Sequence, residues 1–253
     1  MWTSAQLKTN AKMALNARYG VAILISLIAG LLSGGSPGLG SSVFTFNFRG
    51  NQNNLGQMKD FFTQNGEFAG ILVAGVFGFV VLAAVAGTLF GIFVSAPITV
   101  GHDRFYLQNR LGQGDVGTLF SAFHPGYLNV VKAVFLKNLY IFLWSLLFVI
   151  PGIIKTYEYY MVEYILAENP HIDAARALEI SRQMTNGQKL DIFLLGLSFI
   201  GWSILSLMSC GIGFIFLVPY MQATFAELYT VLRQKAITEG TVSFQELTGV
   251  TAF

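Results

Sequence analysis

From Phe68 to Val94 the chain carries no charged side chain at all. A run of this length without charge reads as a membrane-spanning helix. In hydrocarbon a helix satisfies its own backbone polar groups. Gly70, Gly75, Gly78, Gly87 and Gly91 recur through the run. Gly87 and Gly91 have the spacing that lets helix backbones approach closely. That spacing supports tight packing and names no partner.

The rest of the chain follows the same rule. It is 54% hydrophobic and 11% charged, with a mean hydropathy of +0.59. A soluble domain carries about 25% charged residues, so too little polar surface remains to coat a water-soluble globule. At 253 residues there is room for about six spans of ~20 residues with their connections. The expected spans are Tyr19 to about Leu32, Phe68 to Val94, about Val130 to Ile150, about Gly152 to Ala167, Leu190 to about Cys210, and Phe214 to about Leu232. The fold class is therefore all-α, a polytopic membrane bundle of about six transmembrane helices in three hairpins with cytoplasmic amphipathic helices. Residues 1–235 read as a single integral membrane domain. It includes a Gly-, Ser- and Asn-rich extracytoplasmic loop at 33–67, and residues 236–253 read as a short cytoplasmic tail. The N-terminus lacks the compact apolar core and cleavage site of a secretory signal.

Two stretches read as amphipathic helices. In Ser4 to Arg18, Leu7, Ala11, Ala14 and Leu15 share one face, with Lys8 and Lys12 elsewhere. In His171 to Gly187, Ile172, Ala175, Leu178 and Met184 oppose Arg176, Glu179 and Arg182. Both suit the membrane interface. Lys and Arg gather on the cytoplasmic side of spans. With six spans, Lys8, Lys12, Arg18, Arg104, Arg110, Lys132, Lys137, Arg176, Arg182, Lys189, Arg233 and Lys235 fall on one side. Only Arg49, Lys59 and Lys155 fall on the other. Both termini are thus expected in the cytoplasm. A weak internal repeat joins amphipathic segments to spans at LNARYGVAIL, FHPGYLNVV and MTNGQKLDIF. Pro97 and Pro219 stand at matching places in the second and last spans.

The stretch from Asn138 to Pro170 departs most from a plain apolar hairpin. Its first run is apolar, Pro151-Gly152 reads as the turn, and its second run carries Lys155, Glu158 and Glu163 among four tyrosines. A charge at a helix centre costs roughly 2.5–3.5 kcal/mol on insertion scales. Lys155, Glu158, Glu163 and, in the last span, Glu227 are therefore the candidate intramembrane polar site. The alternative is that they are paired or interfacial structural charges, with Lys155 snorkelling. The run is expected to be well buried. The cluster His102, Asp103, Arg104 and Arg110 reads as an aqueous end.

No phosphate loop, zinc-protease, paired-cysteine or serine-elbow motif is present. Ser198 lies inside a span and reads as bonded to its own helix. A lone Cys210 excludes an intramolecular disulfide and reads as packing. No catalytic residue, cofactor or metal site is expected, and a net charge of +2 does not point to nucleic acid. The expected partners are the lipid bilayer and a membrane protein.

The run LWSLLFVIPGIIK, then ILAENP, then Ala174, Ala177, Ser181, Met184, Gly187 and Lys189 at their spacing, then FLLGLSFIGWSILS and CGIG followed by VPY, resembles a bacterial integral membrane family known as domain of unknown function 975. LKTNAKMAL and PITVG fit it too. A more distant similarity is to the membrane domain attached to some glycerophosphodiester phosphodiesterases. The first resemblance implies a multi-pass bacterial plasma-membrane protein and no assigned activity. The reading is a non-enzymatic membrane scaffold or accessory protein. The alternative is a small-solute or lipid transporter or channel that uses the polar fourth span.

Overall fold

The computed structural model describes residues 2–16, 18–32, 66–123, 126–209 and 211–249. Most of the expected 33–67 loop, together with His124 and Cys210, lies outside the described residues. Among the described residues all regular structure is helical. In chain order the helices are α1 (Ser4–Asn16), α2 (Tyr19–Leu32), α3 (Gly66–Phe90), α4 (Ala96–Asn109), α5 (Tyr127–Leu147), α6 (Val149–Glu158), α7 (Val162–Glu168), α8 (Ala174–Met184), α9 (Lys189–Leu197), α10 (Ile200–Met208), α11 (Ile212–Thr238) and α12 (Phe244–Thr248). A π-helical turn, Gly91–Ser95, joins α3 to α4, and a 3₁₀ stretch, Val116–Phe123, precedes α5.

Four helical stretches are long and apolar enough to cross a membrane: Ala74–Asn109, Tyr127–Leu147, Lys189–Met208 and Ile212–Thr238. Counting α1 and α2, which meet at 99°, as one broken span makes five. The stretch expected as a fourth span is not among them. It is two short helices, α6 and α7, separated at Tyr159–Met161 and carrying Lys155, Glu158, Glu163 and Glu168. The break after the first apolar run also differs from expectation. It falls at Phe148, whose backbone is extended (φ −157°, ψ 146°). Pro151 instead sits in the first turn of α6, where its missing N–H costs no helical bond.

The tips of two hairpins are built alike. In α5–α6, a Cβ on Gly152 would collide with Ser145, and in α10–α11 a Cβ on Gly213 would collide with Ser206. Each serine stands seven residues before its glycine. Each turns its hydroxyl back on its own helix, Ser145 to the Ile141 carbonyl and Ser206 to the Trp202 carbonyl, both at 2.8 Å. Such back-bonding keeps the hydroxyl satisfied without water, so the paired helix can close onto it.

Each of the two prolines has a tyrosine hydroxyl on a carbonyl just before it, and at Pro97 that carbonyl is the one the proline frees. Pro97 has no N–H for the carbonyl four residues earlier, that of Phe93. The π-helical turn widens the helix there, and the Tyr127 hydroxyl donates to the Phe93 carbonyl at 2.8 Å. Near Pro219, the Tyr19 hydroxyl donates to the Phe216 carbonyl at 2.6 Å. Tyr19 and Tyr127 are the first residues of α2 and α5. They stand in two of the three joints of the sequence repeat.

Burial divides the bundle lengthwise. From Ala74 to Gly91 every side chain is exposed. The other end of the same helix buries Ile98, Val100, His102, Asp103, Phe105 and Tyr106. There α4 packs against α2, α7, α11 and the 3₁₀ stretch. α1 lies across α11 and buries Leu7, Ala11 and Leu15, spaced at four residues.

Candidate polar site of the fourth segment

Glu158 ends α6, and the chain needs a partner for the backbone it breaks there. α8 supplies it. The Ser181 hydroxyl donates to the Glu158 carbonyl at 2.9 Å and accepts from the Met161 amide at 3.2 Å. Thr185 Oγ1 lies 3.2 Å from the same carbonyl. A buried backbone group left unpaired would cost about 1–3 kcal/mol, so these two hydroxyls hold the break open. Ser181 and Thr185 are themselves fully buried.

Glu158 is 4% exposed. One carboxylate oxygen accepts from Lys155 Nζ at 2.7 Å, the other from Lys189 Nζ at 2.7 Å. Lys189 opens α9. Gly187, in the left-handed region at φ +73°, turns the chain toward it out of α8. The Lys155 ammonium also lies 5.3 Å from the Trp144 ring centre and 5.5 Å from that of Tyr159.

The other candidates sit elsewhere. Glu163, on α7, pairs with Lys137 of α5. Glu227, on α11, pairs with Arg110, with a second contact from Nη2 at 3.2 Å. The four candidate residues therefore form three separate ion pairs or triads, each joining two segments distant in sequence. None of them lines the largest cavity described below, of about 1240 Å³.

Several polar groups of the same interior were not expected there from the sequence. Asp103 and His102 are buried, with Asp103 Oδ1 3.6 Å from His102 Nδ1. Ser26 Oγ lies 2.7 Å from Tyr106 Oη and 3.5 Å from His102 Nε2. The cluster read as an aqueous end thus turns two of its members into the core. Glu168 accepts from Tyr229 at 2.9 Å and pairs with Arg233 at 2.9 Å, and Tyr229 stacks on Tyr164 at 5.4 Å. The available signal was helical spacing. His102, Asp103 and Tyr106 lie three and four apart, one shared face.

Beyond the last span, α12 folds back. Asn169 Nδ2 donates to the Glu246 carbonyl at 2.9 Å, and Arg176 holds the Glu246 carboxylate at 2.7 and 3.3 Å. That guanidinium holds the Glu246 carboxyl below its usual range, while the two carboxylates around Arg176 raise the arginine further above its own.

These elements define a helical protein with several helices apolar and long enough to cross a membrane. Residues 119–236 match the family model described as protein of unknown function (DUF975). No curated protein and no solved structure matches the chain. The likeness to the glycerophosphodiester phosphodiesterase membrane domain finds no support in these comparisons. The matched stretch contains Ala174, Ala177, Ser181, Met184, Gly187 and Lys189. All six serve the junction just described: the alanines and Met184 pack buried, Ser181 caps the break, Gly187 turns the chain and Lys189 neutralises Glu158.

Proposed function

We propose that this chain is a bacterial plasma-membrane protein with both termini cytoplasmic, acting as a non-enzymatic scaffold or accessory protein. It crosses the bilayer about six times in three hairpins, with the broken α6–α7 segment as one crossing. The Lys and Arg asymmetry along the chain supports the orientation. The observation that carries the scaffold reading is the pairing of the acids. Glu158, Glu163 and Glu227 each meet a basic side chain from a distant segment. Acids used that way tie helices together, and these three carboxylates are not open to a passing ion or solute. A buried pair is a weak source of net stability but a costly thing to break, which suits a part that must hold one arrangement.

The second reading, a transporter or channel through the fourth segment, predicts the opposite behaviour. Reconstituted in sealed vesicles, the chain is expected to give no ion or small-solute flux above protein-free vesicles. A flux that falls in Glu158→Gln or Glu163→Gln would overturn the scaffold reading and establish the pore.

A further inference from the structure

The largest cavity described, about 1240 Å³, is a groove between α1, the start of α2 and the α10–α11 hairpin. It exceeds the roughly 300–1,000 Å³ of a typical small-molecule pocket, and its chemistry is graded along its length. At one end stand Lys8 and Lys12, one helical turn apart on α1. The Lys8 ammonium lies 4.3 Å from the Phe199 ring centre and that of Lys12 5.8 Å from the Tyr220 ring centre. Among the described residues neither lysine has a carboxylate within ion-pair distance, whereas Lys137, Lys155 and Lys189 all do. From there α10 runs about 13 Å at 1.5 Å per residue to the hairpin tip. Trp202, Leu205, Met208 and Phe216 form the walls and are all more than half exposed. The hydroxyls of Ser206 and Ser209 at that end are satisfied within their own hairpin, so they place no demand on an occupant.

Two uncompensated ammonium groups call for an anion, and the walls beyond them call for hydrocarbon. We propose that the groove holds one anionic glycerophospholipid, its phosphate between Lys8 and Lys12 and an acyl chain along Trp202, Leu205 and Phe216. Lysine binds phosphate as a point charge. Its neighbouring aromatic faces hold the ammonium in place while leaving it without a counter-charge. The site deepens the scaffold reading by naming its lipid, and it rests on the chain lying in a bilayer.

The test uses the full chain with Trp2→Phe and Trp144→Phe, leaving Trp202 as the sole indole, in phosphatidylcholine vesicles. Brominated phosphatidylglycerol is titrated against brominated phosphatidylcholine, and quenching of Trp202 is read. Phosphatidylglycerol is expected to quench at much the lower mole fraction. Lys8→Gln with Lys12→Gln should raise its half-quenching mole fraction by roughly fivefold for each lysine removed. Lys8→Arg with Lys12→Arg should keep the preference, as should Lys132→Gln with Arg182→Gln, which removes the same charge elsewhere. Equal quenching by the two lipids overturns the site while leaving the membrane reading intact. An equal shift in the Lys132→Gln, Arg182→Gln chain overturns it in favour of general surface attraction. Trp202 unquenched by either lipid overturns the membrane reading and the site with it.

Discussion

The helix from Ala74 to Asn109 has two halves that obey opposite rules. Its first half is apolar and exposed on every side, with Phe77 69%, Phe79 71% and Leu82 67% exposed. Its second half carries Pro97, His102, Asp103 and Asn109, all buried. In water the first half would be untenable as a free helix and the second unremarkable. In a bilayer the assignment is natural: lipid covers the apolar half, and the polar half stays paired inside protein because hydrocarbon would leave its groups alone. The contrast teaches that fold stability in this chain is concentrated at the polar end, while the apolar end is held by its surroundings.

The largest expected effect lies at a buried charge elsewhere in the polar interior, on α6. Glu158→Ala leaves Lys155 and Lys189 facing each other without their shared acceptor, a loss of about 3–5 kcal/mol for a buried pair. Because Lys189 keeps 32% of its side-chain surface exposed, the lower end of that range is expected. Thermal unfolding in detergent measures it, with Glu158→Gln intermediate. Leu82→Ala on the exposed half should stay within about 0.5 kcal/mol. If the two variants lose equal stability, the contrast between buried polar and exposed apolar segments is wrong.

Next comes a change that reads the apolar half directly. Leu82→Arg should cost roughly 2.5–3.5 kcal/mol of apparent insertion free energy if that half faces hydrocarbon. A translocation reporter fused to the segment would register the drop. A helix lying in water would insert, or fail to, indifferently to the arginine.

A smaller effect is expected where the halves meet. Tyr127→Phe removes the donor to the Phe93 carbonyl and should cost about 1 kcal/mol, with faster amide exchange around the π-helical turn than elsewhere in α4. Unchanged exchange there would mean that the proline gap needs no outside donor.

The smallest effect is on acidification. Glu246 has its folded pKa lowered by Arg176. Its contribution is therefore full above its ordinary value of 4.5 and is lost as pH falls through the lowered one. At 31% side-chain exposure the pair is worth at most about 1 kcal/mol. In a Cys210→Ser, Leu247→Cys chain, labelling with a dithiodipyridine, which still reacts with thiols in acid, should stay slow at pH 6 and quicken only once the pH has fallen below 4.5. Arg176→Gln should remove that dependence.

The apolar runs of the chain were legible because charge is so costly in hydrocarbon that its absence is itself a signal. The charged residues of the fourth segment were equally visible, but their partners were not. Lys189 reaches Glu158 through a glycine turn and a helix that sequence alone cannot fold back. The break at Tyr159–Met161 had no local warning. The stretch GluTyrTyrMet holds neither glycine nor proline, and the hydroxyls that stabilise it stand on Ser181 and Thr185. Asp103 misled for the opposite reason. It sits among His102, Arg104 and Arg110, which look like a wet helix end, and only α2, α7 and α11 closing over that turn make it an interior residue. Pro151-Gly152 marked the right hairpin but the wrong residue, since proline starts helices as readily as it ends them.

The length of Ala74–Asn109 has a mechanical consequence. Its 36 residues span about 54 Å at 1.5 Å per residue, against roughly 30 Å of hydrocarbon. One end is clamped among packed helices and the other is bare, with a π-helical turn and a proline between them. A rod fixed at one end and jointed near the middle answers changes in membrane thickness by swinging its free arm. A thinner bilayer is then met by greater tilt of α3, while the ion pairs around α4, α7 and α11 keep their geometry.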